Sequence, residues 1–142
     1  MNKSTIAFTV VLSPISASAY GQQCLHATGE SADQAARRRE ALAATRTINN
    51  LQFNQPNSQK RVFFSHAKLA DSPWAASMRA NPNEFSKRIS FSPDAEILPG
   101  WKLMLDVTSD GYWFSIKDTT DPCGFAYISN HDGVIYTAEP LR

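Results

Sequence analysis

The chain has 142 residues, of which 42% are hydrophobic and 19% are charged, and it carries 14 lysines and arginines against 13 aspartates and glutamates. This length and composition indicate a single globular domain and exclude an intrinsically disordered chain. The near balance of charges gives no bulk electrostatic attraction to nucleic acid or to an anionic membrane, so neither is expected as a partner.

The first nineteen residues have the pattern of a secretory signal peptide. Lys3 supplies the basic start, Ile6 to Leu12 form a short apolar core, and Ala17-Ser18-Ala19 is a small-residue cleavage site. Cleavage there would leave residues 20–142 as one domain. The apolar core is shorter than the roughly 20 residues that a membrane-spanning helix needs, so no membrane span is expected in the mature form. We therefore expect a periplasmic or extracellular protein.

The sequence contains two cysteines, Cys24 and Cys123. In an exported protein these are expected to form a disulfide that closes nearly the whole mature chain. The alternative interpretation is two unrelated buried thiols.

The first regular element expected after the signal is a long helix. Ser31 and Gln34 form a capping-box pattern, and no Gly or Pro occurs from there to Asn50. Asn49-Asn50 and the polar, proline-containing stretch to Gln59 are expected to end this helix. Its apolar residues are small and recur at spacings of three and four: Ala41, Ala44, Ile48 and Leu51.

The middle of the chain is less regular. Arg61 to Phe64 is compatible with either a short strand or a loop that packs aromatic rings inward. Ser72-Pro73 is a typical helix start, and Asn81-Pro82 should stop that helix. The alternation around Ile89 and Phe91 predicts a brief strand.

The last third predicts an antiparallel meander of four strands, because apolar residues alternate along it and Asp-Gly pairs mark its turns. One long N-terminal helix followed by such a sheet is an α+β fold in which the helix covers one sheet face. The predicted strands are Trp101–Thr108, Tyr112–Lys117, Phe125–Ser129 and Val134–Thr137. The side chains predicted to face the Ala41–Ile48 side of the helix are Leu103, Leu105, Val107, Phe114 and Ile116.

Two segments resemble bacterial type IV pilin-like proteins. Residues 43–52, Ala-Ala-Thr-Arg-Thr-Ile-Asn-Asn-Leu-Gln, resemble the helix segment of that family, and Gly111 to Phe114 through Asp132 to Tyr136 resemble its hairpin and terminal strand. The order of helix, irregular connection, antiparallel sheet and late cysteine also matches. The resemblance implies a pilin-like or pseudopilin-like domain with a structural or partner-binding role in the envelope or in a pilus or secretion system.

The start of the chain departs from the pilin pattern. Ala7 to Leu12 is similar to the pilin start, but Leu12 stands where the family has a glutamate. Pro14 and the polar chain after Tyr20 leave no long apolar stem of the kind that builds a filament core. The resemblance therefore implies a stemless, exported pilin-like domain.

The candidate sites are few. No two of the three histidines, His26, His66 and His131, are close in sequence, so no metal site, cofactor or catalytic role is assigned to them. The oxygen-rich loop from Asp118 to Asp121 is either a calcium loop or a plain hairpin loop. No nucleophile–base motif is visible, and a non-enzymatic protein is expected.

Three residues are candidates for contact with a protein partner. Arg37 and Arg38 belong to a basic run that either contacts a partner or lies on a solvated helix surface paired with Glu30, Asp33 and Glu40. Trp113 is predicted on the strand face opposite Tyr112 and Phe114, where an exposed indole would be a binding site. Protein partners in the envelope are the first hypothesis, and a periplasmic ligand-binding module or enzyme inhibitor is the alternative.

Overall fold

A computed structural model describes residues 24–26, 29–53 and 62–139. The predicted signal peptide, residues 1–19, lies outside the described residues. So do residues 54–59, which belong to the stretch that was expected to end the long helix. Four helices are followed by four strands in chain order. These elements are α1 (Ala32–Phe53), α2 (His66–Ala70), α3 (Pro73–Ala80), α4 (Glu84–Arg88), β1 (Trp101–Val107), β2 (Tyr112–Asp118), β3 (Ala126–Asn130) and β4 (Ile135–Ala138).

The four strands form one antiparallel sheet in the order β1-β2-β3-β4. Leu103 pairs with Ile116 and Leu105 with Phe114, so the alternating apolar residues of β1 and β2 share one face of the sheet. The predicted α+β class, the meander and the pairing of one long helix with one sheet are therefore confirmed.

Helix α1 begins where its capping box predicts. The Ser31 amide donates to the Gln34 side chain, and the Gln34 amide donates to the Ser31 hydroxyl. The helix passes Asn49-Asn50 and ends at Phe53, within the stretch from Asn49 to Gln59 that was expected to end it. Tertiary hydrogen bonds outweigh the poor helix propensity there, because the Asn49 amide donates to the Ser129 hydroxyl and to the Gly133 carbonyl.

The core lies between the sheet and the helices. Helix α1 contributes Ala41, Ala44 and Ile48, all fully buried, and it runs closest to β3. Because alanine side chains are small, the helix backbone can approach the sheet closely. Phe114 and Ile116 are fully buried in the same cluster, whereas Leu105 and Val107 are only partly buried against it. Segment 62–98 completes the cluster with Phe63, Leu69, Phe91, Ile97 and Leu98.

The connection between α1 and the sheet is more helical than its sequence indicates. Helix α3 is confirmed, with Ser72 accepting from the Ala75 amide and Pro73 in the first turn. The strand predicted around Ile89 and Phe91 is wrong, because α4 runs up to Arg88 and the Ser90 amide then donates to the Ile97 carbonyl. Residues 62–64 have no regular structure, and buried Phe63 fits the predicted loop with an inward ring, while Arg61 lies outside the described residues.

Replacing Leu105 with alanine is expected to lower the free energy of unfolding by about 1–2 kcal/mol, less than a fully buried leucine loses. The reason is that Leu105 only borders the core cluster. Urea unfolding followed by tryptophan fluorescence measures this loss. Phe114→Ala is the matched comparison, with an expected loss of about 3–5 kcal/mol. If Leu105→Ala lost as much as Phe114→Ala, the burial described for β1 would be wrong.

Among residues 24–26, 29–53 and 62–139, no helix combines the length and the apolar character that crossing a membrane requires.

Candidate functional site

The predicted disulfide between Cys24 and Cys123 is present, with the two Cα atoms 5.2 Å apart. It joins the segment before α1 to the loop between β2 and β3. The bond therefore brings together two chain segments that are 99 positions apart in sequence.

A buried histidine lies beside this disulfide. His26 Nδ1 is 2.7 Å from Glu30 Oε1, and its Nε2 is 2.8 Å from Asp118 Oδ2. The side chains of His26 and Asp118 are 1% and 0% exposed. Each ring nitrogen therefore faces a carboxylate oxygen, and both are engaged by contacts within the domain.

Two arginines of α1 contact the carboxylates of Glu30 and Asp118. Arg38 contacts Glu30 through two nitrogen atoms of its guanidinium group. Its Nε lies 3.0 Å from Oε1, and a terminal nitrogen lies 2.9 Å from Oε2. Arg37 lies 3.4 Å from Asp118 Oδ1, donates to the Thr120 hydroxyl, and sits over the Trp101 ring at 5.9 Å from its centroid. The fork-shaped guanidinium group suits such paired acceptors better than a lysine would.

Asp121 anchors the loop between β2 and β3. Its Oδ1 accepts from the backbone amides of Leu25 and Cys123, and its Oδ2 accepts from the amide of Phe125. These polar residues beside the disulfide form what we call the ion cluster: His26, Arg37, Arg38, Glu30, Asp118 and Asp121.

The carboxylates of the ion cluster are held in their ionised form. Burial alone would raise the pKa of Asp118, but hydrogen bonds from His26 and Thr120 and the charge of Arg37 lower it below its ordinary value. Burial also opposes ionisation of Asp121, yet the amides of Leu25, Cys123 and Phe125 lower the pKa of its carboxyl. The pKa of Glu30 is lowered as well, because hydrogen bonds from Arg38 and His26 outweigh its desolvation.

These lowered pKa values predict a loss of stability in acid. A carboxylate with a lower pKa in the folded state stabilises the fold above its unfolded pKa, and this stability is lost as the pH falls through the folded value. We expect the free energy of unfolding to fall steeply below about pH 4, the ordinary range of carboxyl groups. Urea unfolding between pH 7 and pH 3 measures the slope.

Asp121→Asn should make that slope shallower, because it removes one titrating group while keeping an oxygen for two of the three amides. Asp94→Asn is the control, since Asp94 is exposed and makes no ion pair within the described residues. Equal acid slopes in the wild type and in Asp121→Asn would contradict the prediction.

The ion cluster changes how the predicted site residues are interpreted. Arg37 and Arg38 are engaged inside the domain, and of the three acids expected to pair with the basic run, Glu30 does so with Arg38. Glu40 instead pairs with Arg88. In the Asp118–Asp121 loop, the Asp118 carboxylate contacts His26 and Arg37, and the Asp121 carboxylate accepts hydrogen bonds from backbone amides. Among the described residues, no group of three or more histidines, cysteines, aspartates or glutamates is placed to hold a metal ion.

Sequence reasoning missed the role of His26. One signal was available, because Cys24 lies two residues before His26, and Cys123 lies two residues after Asp121. A disulfide between the cysteines necessarily brings the histidine near the acidic loop. His131, in contrast, lies exposed in the turn between β3 and β4, where it was expected.

The second candidate site is the sheet face that points away from α1, which we call the outer sheet face. Four large apolar side chains on it are exposed: Met104 by 54%, Trp113 by 45%, Ile128 by 37% and Tyr136 by 56%. The predicted position of Trp113 opposite Tyr112 and Phe114 is confirmed, since those two rings are buried. A surface with this many exposed apolar side chains on one face is typical of a contact site.

Trp113 is held in a fixed orientation on this face. Its indole Nε1 donates to Asp106 Oδ2 at 3.1 Å, across the β1–β2 pair. Beside the indole lies a concavity of about 320 Å³, whose lining includes Asp106, Asp110, Asn130 and His131. An oriented indole next to two carboxylates is suited to receive a cationic side chain.

No protein-family model, curated protein or solved structure matches this chain.

Proposed function

We propose that this chain is an exported, pilin-like protein that works through contact with other proteins of the bacterial envelope or of a pilus or secretion system, and not as an enzyme. The observation that carries the proposal is the outer sheet face, which presents exposed apolar side chains on all four strands. Exposed aromatic residues that are already oriented lose little conformational entropy on binding, which makes them effective anchors in interfaces.

Export is supported by the covalent framework of the domain. The Cys24–Cys123 disulfide closes a long loop, and such bonds persist in oxidising compartments such as the periplasm. The predicted signal peptide agrees with that compartment.

A non-enzymatic role is supported by the way the ion cluster uses its polar groups. Both nitrogens of His26 and the acceptor atoms of Asp118 and Asp121 are occupied by contacts within the domain. A general base needs a free acceptor within reach of a substrate proton, and this arrangement offers none at His26. The cluster instead ties the start of α1 to the β2–β3 loop.

Site-specific photocrosslinking in intact cells tests the proposal. A photoreactive amino acid at Met104 lies on the outer sheet face, and the same group at Lys68 on α2 is the control on an exposed position elsewhere. We expect position 104 to capture an envelope protein that mass spectrometry identifies, and position 68 to capture much less of it. Equal patterns from both positions would overturn the outer sheet face as the contact surface.

A periplasmic ligand-binding role is the second candidate, favoured by a groove of about 500 Å³ between α2, α3 and the segment after α4. Its volume lies in the range of small-molecule sites, and its lining includes Met78, Ile89 and Phe91 with Arg79. Native mass spectrometry of protein isolated from the periplasm tests this role. A retained small molecule that is lost in Met78→Arg would favour it, and a mass equal to that of the chain alone would count against it.

A further inference from the structure

We propose that the outer sheet face binds a second copy of this chain, in a weak two-fold symmetric dimer with the two sheets face to face. This inference rests on the proposed function only in taking the outer sheet face as the contact surface. The argument comes from how charge is distributed along the strands of this face.

The outer sheet face is divided into three rows that cross the strands. Lys102 and Lys117 are paired neighbours at one end, and Asp106 and Trp113 are paired neighbours at the other end. Between them lies a row in which Met104 pairs with Ser115, Ser115 with Ile128, and Ile128 with Tyr136. The face is therefore basic at one end, largely apolar in the middle, and acidic with an indole at the other end.

This pattern is complementary to itself. A two-fold axis that lies along the middle row, between two facing sheets, reverses the strand direction of the second copy. Lys102 then lies over Asp106 of the second copy, and Lys117 lies over the Trp113 indole of the second copy. The first is an ion pair, the second a cation–π contact, and each occurs twice because the interface is symmetric. The middle row packs on itself, which covers Met104, Ile128 and Tyr136.

The charges involved are available for such pairing. Within residues 24–26, 29–53 and 62–139, neither Lys102 nor Lys117 has an acidic group within 4.0 Å, and Asp106 has no cationic one. Trp113 donates to Oδ2 of Asp106, and no hydrogen bond within the described part of the chain reaches Oδ1. The concavity beside the indole gives an incoming ammonium group room to enter.

The size of the face sets the expected affinity. The four strands have seven, seven, five and four residues. At about 3.4 Å per residue and about 4.8 Å between strands, they cover roughly 375 Å² per copy. Two copies together bury roughly 750 Å², below the 1,200–2,000 Å² of stable complexes. The dimer should therefore be weak and reversible, and its population should depend on protein concentration and on salt.

Sedimentation equilibrium of the full chain, isolated from an oxidising compartment, tests the inference at concentrations from about 1 μM to about 1 mM. We expect a monomer–dimer equilibrium that weakens as salt is raised. Lys102→Glu should weaken it at least about tenfold, because it places like charges opposite one another. Lys68→Glu, the same charge reversal on α2, should leave it unchanged.

The decisive variant exchanges the two charges within one chain. Lys102→Glu combined with Asp106→Lys restores opposite charges across the two-fold axis, so it should dimerise more tightly than Lys102→Glu alone. It should stay weaker than the wild type, because Asp106→Lys also removes the acceptor that orients Trp113. A double variant as weak as Lys102→Glu alone would overturn the proposed arrangement. A chain that stays monomeric at about 1 mM would overturn the dimer altogether.

The two proposals fail separately. If the purified chain stays monomeric while the crosslinker at position 104 captures another envelope protein, the dimer is wrong and the proposed function stands. If the chain dimerises and position 104 captures only its own copies in cells, the dimer stands and an envelope partner on this face is excluded.

Discussion

Replacing Asp118 with alanine is expected to lower the free energy of unfolding by about 3–5 kcal/mol. Asp118 is fully buried and contacts both His26 and Arg37, so its removal leaves the buried Nε2 of His26 without its partner and the Arg37 guanidinium without a counter-charge. It also removes the acceptor for the amide and hydroxyl of Thr120. Urea unfolding at pH 7 measures the loss.

Asp118→Asn is the matched variant, and it should lose less, about 1–3 kcal/mol. Its amide oxygen can still accept from Thr120, and its amide group can donate to a neutral His26. Asp94→Ala on the surface should stay within about 0.5 kcal/mol of the wild type. A loss below about 1 kcal/mol for Asp118→Ala would mean that the ion cluster does not hold the domain together.

Removing the disulfide is the second change with a large expected effect. Cys123→Ser combined with Cys24→Ser should lower the free energy of unfolding by about 2–5 kcal/mol, since the bond closes a loop of about 100 residues in the unfolded chain. Urea unfolding with and without reductant measures it, because the wild type should respond to reductant and the double serine variant should not. Equal stability of the two proteins in the absence of reductant would contradict the prediction.

The disulfide and the ion cluster should also be coupled. Both join the segment before α1 to the loop between β2 and β3, so loss of one weakens the geometry on which the other depends. A double-mutant cycle combines Asp118→Ala with the double serine variant. In this cycle the two losses of unfolding free energy should deviate from additivity by about 0.5–3 kcal/mol. Strictly additive losses would mean that the two features act independently.

The sheet was the part of the fold best predicted from the sequence. Alternation along Trp101 to Val107 and the Asp-Gly turns are local signals, and each strand bound lies within one residue of the structure. Helices α2 and α4 were missed because five residues make little more than one turn, too few for a helical period to show. The extension of α1 to Phe53 depends on Asn49 and Ser129, which are 80 positions apart.

The candidate sites also differ in how far local sequence patterns predict them. The exposure of Trp113 followed from strand alternation, which is a local pattern. The ion cluster did not follow, because His26 and Asp118 are 92 positions apart and only the folded chain brings them together. The charge rows of the outer sheet face required the pairing of β1 with β2, which sequence alternation alone does not specify.

The proposed function requires an exported, disulfide-closed domain that acts by protein contact. The most direct test is the intact mass of the protein isolated from the cells that make it. The account predicts a chain that begins at Tyr20, with a mass lower by two hydrogens than its reduced form. A chain that begins at a methylated Phe8 would replace the stemless domain with a filament subunit. A cytoplasmic chain that keeps Met1 and carries two free thiols would contradict the account.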